Sequence, residues 1–255
     1  MTAERVDGAF VIARLEAARS SDESGLAFDA DGTLWSGDVG EDVFEWACAH
    51  ERLREEARDA LAKVALAHDV PAVGSASHIA SALYAGYRAG RVAELQMCEV
   101  MTWCYAGLSE AELRETARQA FSARGLVGRR RGVLVPIFDW AKRTQLRVIV
   151  VSASPFPIVD EGLRLVGIQV AGLAAARPAM NGDVIGARMA EPLPYASQKP
   201  IAGGHLLEGH DWLGSFGDNG FDVDMLRAAR VGVAVCPKPA LLARLHELTN
   251  TVVLE

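Results

Sequence analysis

The sequence predicts an α/β protein: a Rossmann-like, doubly wound parallel sheet with an inserted all-α helical cap. Two features carry this. Short, near-continuous apolar runs alternate with helix-like segments over residues 133–255, the pattern of βαβ units. Between the first strand and those units lies a stretch rich in Ala, Leu, Glu and Arg with almost no β-branched runs, too long for a simple crossover. The chain therefore divides into a core of residues 1–36 and 127–255 and a cap of residues 37–126.

Taken in order, residues 4–19 read as a short amphipathic helix, with Val6, Phe10, Ile12, Ala13 and Leu15 at mixed helical spacing. A polar loop over 20–25 leads to a short buried strand, Leu26-Ala27-Phe28. It stops at Asp29-Ala30-Asp31-Gly32-Thr33-Leu34-Trp35. A strand ending in Asp-x-Asp-Gly sets carboxylates in the crevice at the carboxyl edge of an open sheet, where ligands bind. The ordinary reading is an Asp-Gly hairpin turn. Leu34-Trp35-Ser36-Gly37 is no second alternating strand, which weighs against it. The insert reads as helices over 41–68, 75–89, 92–106 and 109–123. Ser109 and Glu112 form a capping box, and Leu113, Ala117, Ala120 and Phe121 a core stripe. The insert leaves the core within a few residues of Asp29, so it is expected to close over the site and select the substrate.

The α/β pattern resumes with a helix over 133–144 and a central strand over 146–151 that ends at Ser152. Ser154 is a suitable N-cap and Pro155 a suitable first residue for a helix running to about Val166. A strand near 168–172 and an Asn181-Gly182 hairpin follow. Next come a helix opening at Lys199-Pro200, a strand over 212–216 and the loop Gly217-Asp218-Asn219-Gly220-Phe221-Asp222. A helix over 223–230, a strand over 231–235 and a last helix from Pro239 complete the chain.

The 255 residues can bury a sizeable core, and 50% hydrophobic with 23% charged residues describes a soluble globular protein. A net charge of -7 argues against nucleic acid or an anionic membrane as partner, but not against a phosphorylated substrate, because a bound cation inverts the local field. Cys48, Cys98, Cys104 and Cys236 lack the spacing of a zinc or redox pair and read as small buried thiols. The first residues do not resemble a secretion signal, and no apolar run approaches the roughly 18 residues of a membrane helix. The expectation is a cytoplasmic protein, monomeric or homodimeric.

Three downstream stretches complete one chemistry with the acidic stretch. Ser152 ends a buried strand, Lys199 opens a helix, and Asp218 and Asp222 sit in a Gly-rich loop after another strand. Singly, each has an ordinary account: a strand end, a solvated lysine, a turn, an N-cap. In a doubly wound sheet their loops converge. Together they supply a carboxylate nucleophile, a proton donor, oxygen ligands for Mg²⁺ and donors for phosphate charge.

This set resembles the haloacid dehalogenase superfamily over the whole chain, with FDADGT, VIVVS, Lys199 and GDNGFD standing for its four motifs. The helical insert, the GLSEAEL stretch over 107–113 and the hairpin before Lys199 are similar to the phosphoserine phosphatase-like branch. The resemblance implies a Mg²⁺-dependent phosphatase of small phosphomonoesters. Asp29 is then the nucleophile forming an aspartyl-phosphate, and Asp31 the general acid and base. The Asp29 and Asp218 carboxylates and the Asp31 carbonyl are Mg²⁺ ligands supported by Asp222. Ser152 bonds the phosphoryl oxygens and Lys199 neutralises charge. Trp35, Asp38 and Ala153 are the candidate substrate contacts. Ala153, Ser154, Phe221 and Asp38 depart from phosphoserine phosphatases, which carry two glycines, an Asn and a Glu there, so the resemblance does not extend to phosphoserine as substrate. Transfer of the phosphoryl group to an alcohol, and a phospho-accepting regulatory module, are the alternative functions. Asp31 argues against the second, because an acid/base shortens the life of an aspartyl-phosphate.

Two other features have ordinary readings. Arg129-Arg130-Arg131 reads as a salt-bridged hinge. Tyr84, Tyr87, Trp103 and Tyr105 read as helix-core aromatics, whereas Trp35 is expected to face the leaving group because it lies so near Asp29.

Overall fold

A computed structural model describes residues 5–255. The elements are β1 (Arg5–Val6), α1 (Gly8–Ala18), β2 (Ser24–Phe28), α2 (Val39–Ala49), α3 (Arg58–Ala67), α4 (Ala76–Arg88), α5 (Glu94–Trp103), α6 (Glu110–Arg124) and α7 (Val135–Arg143). They continue as β3 (Arg147–Pro155), α8 (Phe156–Leu165), β4 (Gly172–Ala176), β5 (Pro178–Asn181), β6 (Val184–Met189), α9 (Gln198–Leu206), β7 (Asp211–Gly217), α10 (Val223–Ala228), β8 (Val231–Val235), α11 (Pro239–Leu242) and β9 (Thr251–Leu254).

Seven strands form one sheet in the order β1-β9-β8-β7-β2-β3-β4, and every pairing in it is parallel. The chain winds outward from β2 through β3 and β4, then returns to the other side of β2 with β7, β8 and β9. The switch point is therefore at β2, the strand that ends in Asp29. Strands β2 and β8 are buried along their whole length, as parallel strands covered on both faces must be. Phe28 stacks on Phe216 of β7 at 4.2 Å and on Phe138 of α7 at 4.9 Å, which fixes β2 under the site.

Between β2 and β3 the chain is helical, as expected. The chain segments that join insert to sheet pair with each other: Ser36 N–H donates to the Arg129 carbonyl and Arg131 N–H to the Leu34 carbonyl. Among the described residues only Arg129 of the basic cluster is salt-bridged, to Asp42; Arg130 and Arg131 donate instead to the Val166 and Gly32 carbonyls, at 3.3 and 3.1 Å. The insert is also tied down elsewhere. Arg114 and Arg118 of α6 pair with Asp160 and Glu161 of α8. The β5–β6 hairpin docks on it through Gly107 N–H to the Ile185 carbonyl and Ile185 N–H to the Leu108 carbonyl, both 2.8 Å.

Several boundaries differ from expectation. The segment read as one helix over 41–68 is two, α2 and α3, broken where Glu51 takes a φ of 52° and Leu53 N–H turns to the Ser77 hydroxyl. The N-terminal helix begins only at Gly8, capped by Asp7, because Arg5–Val6 pairs with β9; Glu4 lies outside the described residues. The chain ends not in a helix but in β9, whose Thr251-Val252-Val253-Leu254 is a good strand sequence. Strand β4 begins at Gly172, where the strand expected over 168–172 was to end. The helix after β3 begins at Phe156 with Pro155 as its N-cap residue, so Ser154 does not cap it. Among the described residues no helix is long and apolar enough to cross a membrane.

Candidate active site

Four strand ends meet over the switch point. From β2, Asp29 is buried and held on both oxygens: Lys199 Nζ lies 2.6 Å from Oδ1, and the Thr33 hydroxyl donates to Oδ2 at 3.1 Å. Lys199 of α9 is fully buried; its Nζ also reaches Asp222 Oδ1 at 2.5 Å and lies 4.9 Å above the Phe221 ring. Burial alone would neutralise such a lysine, but Asp222 and Asp29 outweigh it and keep the ammonium charged. Its enclosed ammonium is shared between Asp29 and Asp222.

From β7, Asp222 Oδ2 accepts from the Asp218 and Asn219 main-chain N–H groups at 3.0 and 2.9 Å. Both Asp222 oxygens are thus engaged in shaping the loop and holding Lys199. Asp218 differs. Its Oδ2 pairs with Lys238 Nζ at 2.9 Å, and its Oδ1 is buried with no partner among the described residues. An unpartnered buried carboxylate oxygen is costly unless something occupies it. Carboxylate oxygens of Asp29, Asp218 and Asp222 lie within 4.8 Å of one another. Burial above all raises Asp29, with Asp222 and Asp218 adding to it and Lys199 opposing. Although Lys199 and Lys238 already pair with these carboxylates, the cluster offers only oxygen ligands, the donor set that fits a hard cation such as Mg²⁺. Gly32 makes the approach possible: at φ 86°, a Cβ there would fall 1.9 Å from Asp218 Oδ2.

Asp31 sits at the mouth of the same crevice. Its Oδ1 accepts from Trp35 Nε1 at 2.8 Å and from the Val39 N–H at 2.7 Å; its Oδ2 accepts from the Ser154 hydroxyl at 2.6 Å. Ser154 reaches it because β3 bulges: Ser152 pairs with Ala175, and the next paired residue is Pro155 with Ala176. The Ser152 hydroxyl accepts from the Ser154 N–H at 3.1 Å.

A cavity of about 470 Å³ opens above these groups. Asp29, Asp31, Ser152, Ala153 and Ser154 form its floor, and Asp38, Glu41, Tyr87, Glu94 and Tyr195 form its walls. Asp38 both lines the cavity and caps α2, accepting from the Glu41 N–H at 2.8 Å. Burial first, and then the charge of Asp31, push its carboxyl well up; burial also raises Glu41. Trp35 does not line the cavity. Its ring is fully buried, with its edge close above Gly162, and its N–H is spent on Asp31. The expectation that Trp35 faces the leaving group is corrected: the turn after Gly32 points the indole down into the core.

Several residues of the site escaped sequence reasoning: the cavity walls Glu41, Glu94 and Tyr195, Tyr87, which was expected in the helix core, and Lys238 and Ser154 nearer the carboxylates. Lys238 follows β8 in Cys236-Pro237-Lys238-Pro239, where Cys236 takes a φ of 41°. Its only sequence signal is its position after a strand. Ser154 reads locally as a helix cap, and only the bulge redirects it.

A family model described as haloacid dehalogenase-like hydrolase matches residues 26–227. No curated protein matches the chain. Among solved structures, a protein of unknown function from Bordetella pertussis Tohama I is 20% identical with a TM-score of 0.66, over 92% of this chain and 99% of that one. A HAD family hydrolase from Salmonella enterica serovar Typhi is 13% identical with a TM-score of 0.59, over 90% and 67%. A phosphoserine phosphatase in apo form is 16% identical with a TM-score of 0.52, over 91% and 93%. At these identities the likeness is one of fold.

Proposed function

We propose, from the premise that the chain belongs to the haloacid dehalogenase-like hydrolase family, that it is a Mg²⁺-dependent phosphatase of small phosphomonoesters. The observation that carries this reading is the Lys199–Asp29 pair beneath a cavity that also exposes Asp31. A lysine that neutralises one buried carboxylate leaves it able to approach an anionic phosphate.

In this reading an Asp29 oxygen bonds to phosphorus as the ester P–O bond breaks, giving an aspartyl-phosphate. Asp31 gives a proton to the leaving oxygen. It then takes one from the water that releases phosphate from Asp29. Ser152 hydrogen-bonds the phosphoryl oxygens. Asp29 and Asp218, with the Asp31 main-chain carbonyl, would hold Mg²⁺, and Asp222 orders the loop behind them. When bound, the ion stabilises charge on the phosphoryl oxygens as a Lewis acid. Asp38, Glu41 and Glu94 with the rings of Tyr87 and Tyr195 favour a small leaving group carrying an amine or quaternary ammonium.

The test is turnover of an aryl phosphate and of a panel of small phosphomonoesters with Mg²⁺, for the wild type and Asp29→Asn. The wild type is expected to release phosphate from both. Asp29→Asn is expected to release none while keeping its circular dichroism and melting temperature. Activity near wild type in Asp29→Asn would remove the nucleophile from the reading.

A further inference from the structure

The two oxygens of Asp31 are not equivalent. Oδ1 accepts from Trp35 Nε1 and from the Val39 main-chain N–H, at 2.8 and 2.7 Å. An indole N–H and a peptide N–H can only donate. A protonated Oδ1 would set its hydrogen against two others, so Oδ1 is held as an acceptor in every state of the residue. Oδ2 has one partner among the described residues, the Ser154 hydroxyl at 2.6 Å. A hydroxyl both donates and accepts, so it tolerates either form of the carboxyl.

We infer that Trp35 and Ser154 are the positioning residues of Asp31: Trp35 with the Val39 N–H locks Oδ1, so that the proton travels on Oδ2 with Ser154 as its one switchable partner. This rests on the reading of Asp31 as acid and base. In the first half-reaction the Oδ2–H bond breaks and its proton goes to the leaving oxygen, which departs as an alcohol. The electron pair stays on Oδ2, and Ser154 donates its O–H to the charge that develops there. In the second half-reaction a proton of water moves to Oδ2 as the water oxygen bonds to phosphorus; the O–P bond of the Asp29 acyl phosphate breaks, and its electron pair returns to the Asp29 carboxylate.

The arrangement joins cap and core at one carboxylate. Val39 is the first residue of α2, and its N–H is one of those a helix start leaves unpaired. Ser154 comes from the bulge of β3. Gly40, next in α2, keeps the path open, because a Cβ there would lie 2.8 Å from the Ser154 hydroxyl. Sequence position alone makes Trp35 a substrate contact and Ser154 a helix cap. The hydrogen bonds make both of them servants of Asp31.

The experiment compares kcat on an alkyl phosphate, whose leaving oxygen needs a proton, with kcat on nitrophenyl phosphate, whose leaving oxygen does not. It uses the full chain with Mg²⁺ and the variants Ser154→Ala, Ser154→Thr, Trp35→Phe, Gly40→Ala and Asp31→Asn. Ser154→Ala is expected to lower the alkyl-to-aryl ratio of kcat by about 10- to 100-fold, the scale of one hydrogen bond to a charged group. Trp35→Phe and Gly40→Ala should lower it in the same direction, and Ser154→Thr, which keeps the hydroxyl, should restore it. KM should change less than kcat. A merely structural role would lower both rates together and leave the ratio at its wild-type value. That result, with Asp31→Asn still lowering the ratio, overturns this inference alone. An unchanged ratio in Asp31→Asn itself would overturn the acid/base reading beneath it.

Discussion

Lys238 Nζ lies 2.9 Å from Asp218 Oδ2, on the carboxylate of the cluster whose other oxygen is buried without a partner among the described residues. The lysine holds part of the charge that a metal would hold. If Asp218 is a ligand, Lys238 competes with the ion for it. Lys238→Met is therefore expected to bind Mg²⁺ about two- to five-fold more tightly by titration calorimetry. That is the scale of an ion pair whose lysine is half exposed. Equal or weaker binding would show that Lys238 does not contest the site.

Protons compete at the same place. Burial is the main cause that raises Asp218 to about 6, with Asp222 adding to it and Lys238 opposing. Above that pH the carboxylate is free to ligate, and below it a proton must leave before a metal enters. The apparent affinity for Mg²⁺ should fall as the pH drops through about 6, by up to roughly tenfold per unit from this group. Calorimetry in buffers of different ionisation enthalpy should detect proton release that grows on the acid side. An affinity flat to pH 5 would exclude Asp218 as the controlling group.

Gly32→Ala tests the close approach of the two loops. The left-handed backbone alone costs an alanine about 1–2 kcal/mol, and its Cβ would displace Asp218. The variant should unfold at lower denaturant and bind Mg²⁺ more weakly than wild type. Wild-type values of both would mean that the loop relaxes freely.

Asp31→Asn should lower turnover of alkyl phosphates by about 10²–10⁴-fold, the usual scale of general acid–base catalysis. The loss should be smaller for nitrophenyl phosphate. Equal losses on both would contradict the proton-donor role.

Asp38 has two duties, as cap of α2 and as cavity wall, and Asp38→Asn separates them. Asparagine still accepts from the Glu41 N–H, so the helix start should survive. The charge is lost, so KM should rise several-fold for amine-bearing phosphates and less for neutral ones. A uniform response across the panel would mean that Asp38 does not read the leaving group.

The residues of the candidate site were legible in the chain because they stand at element ends. Asp29 and Asp31 after an apolar run, Ser152 after another, Asp218 and Asp222 in a Gly-rich loop and Lys199 at a helix start are local patterns. The parallel sheet then brings such ends to one edge. The helical insert and the Ser109 capping box were legible for the same reason, since periodicity and caps act within a few residues. Tertiary structure decided what depends on partners far away in the chain. Arg5–Val6 is a strand only because Val253 and Leu254 lie beside it. The β5–β6 hairpin belongs to the core segment of the sequence, yet it seats on the insert through Gly107 and Leu108. Trp35 turned inward and Ser154 turned to Asp31 because a bulge in β3 and the start of α2 converge there. Lys238 joined the site through Asp218 on the neighbouring strand end, whose carboxylate and main-chain carbonyl it both reaches. Local propensity sets what a segment can be. The direction of one side chain is set by hydrogen bonds and packing across the fold, which no short stretch contains.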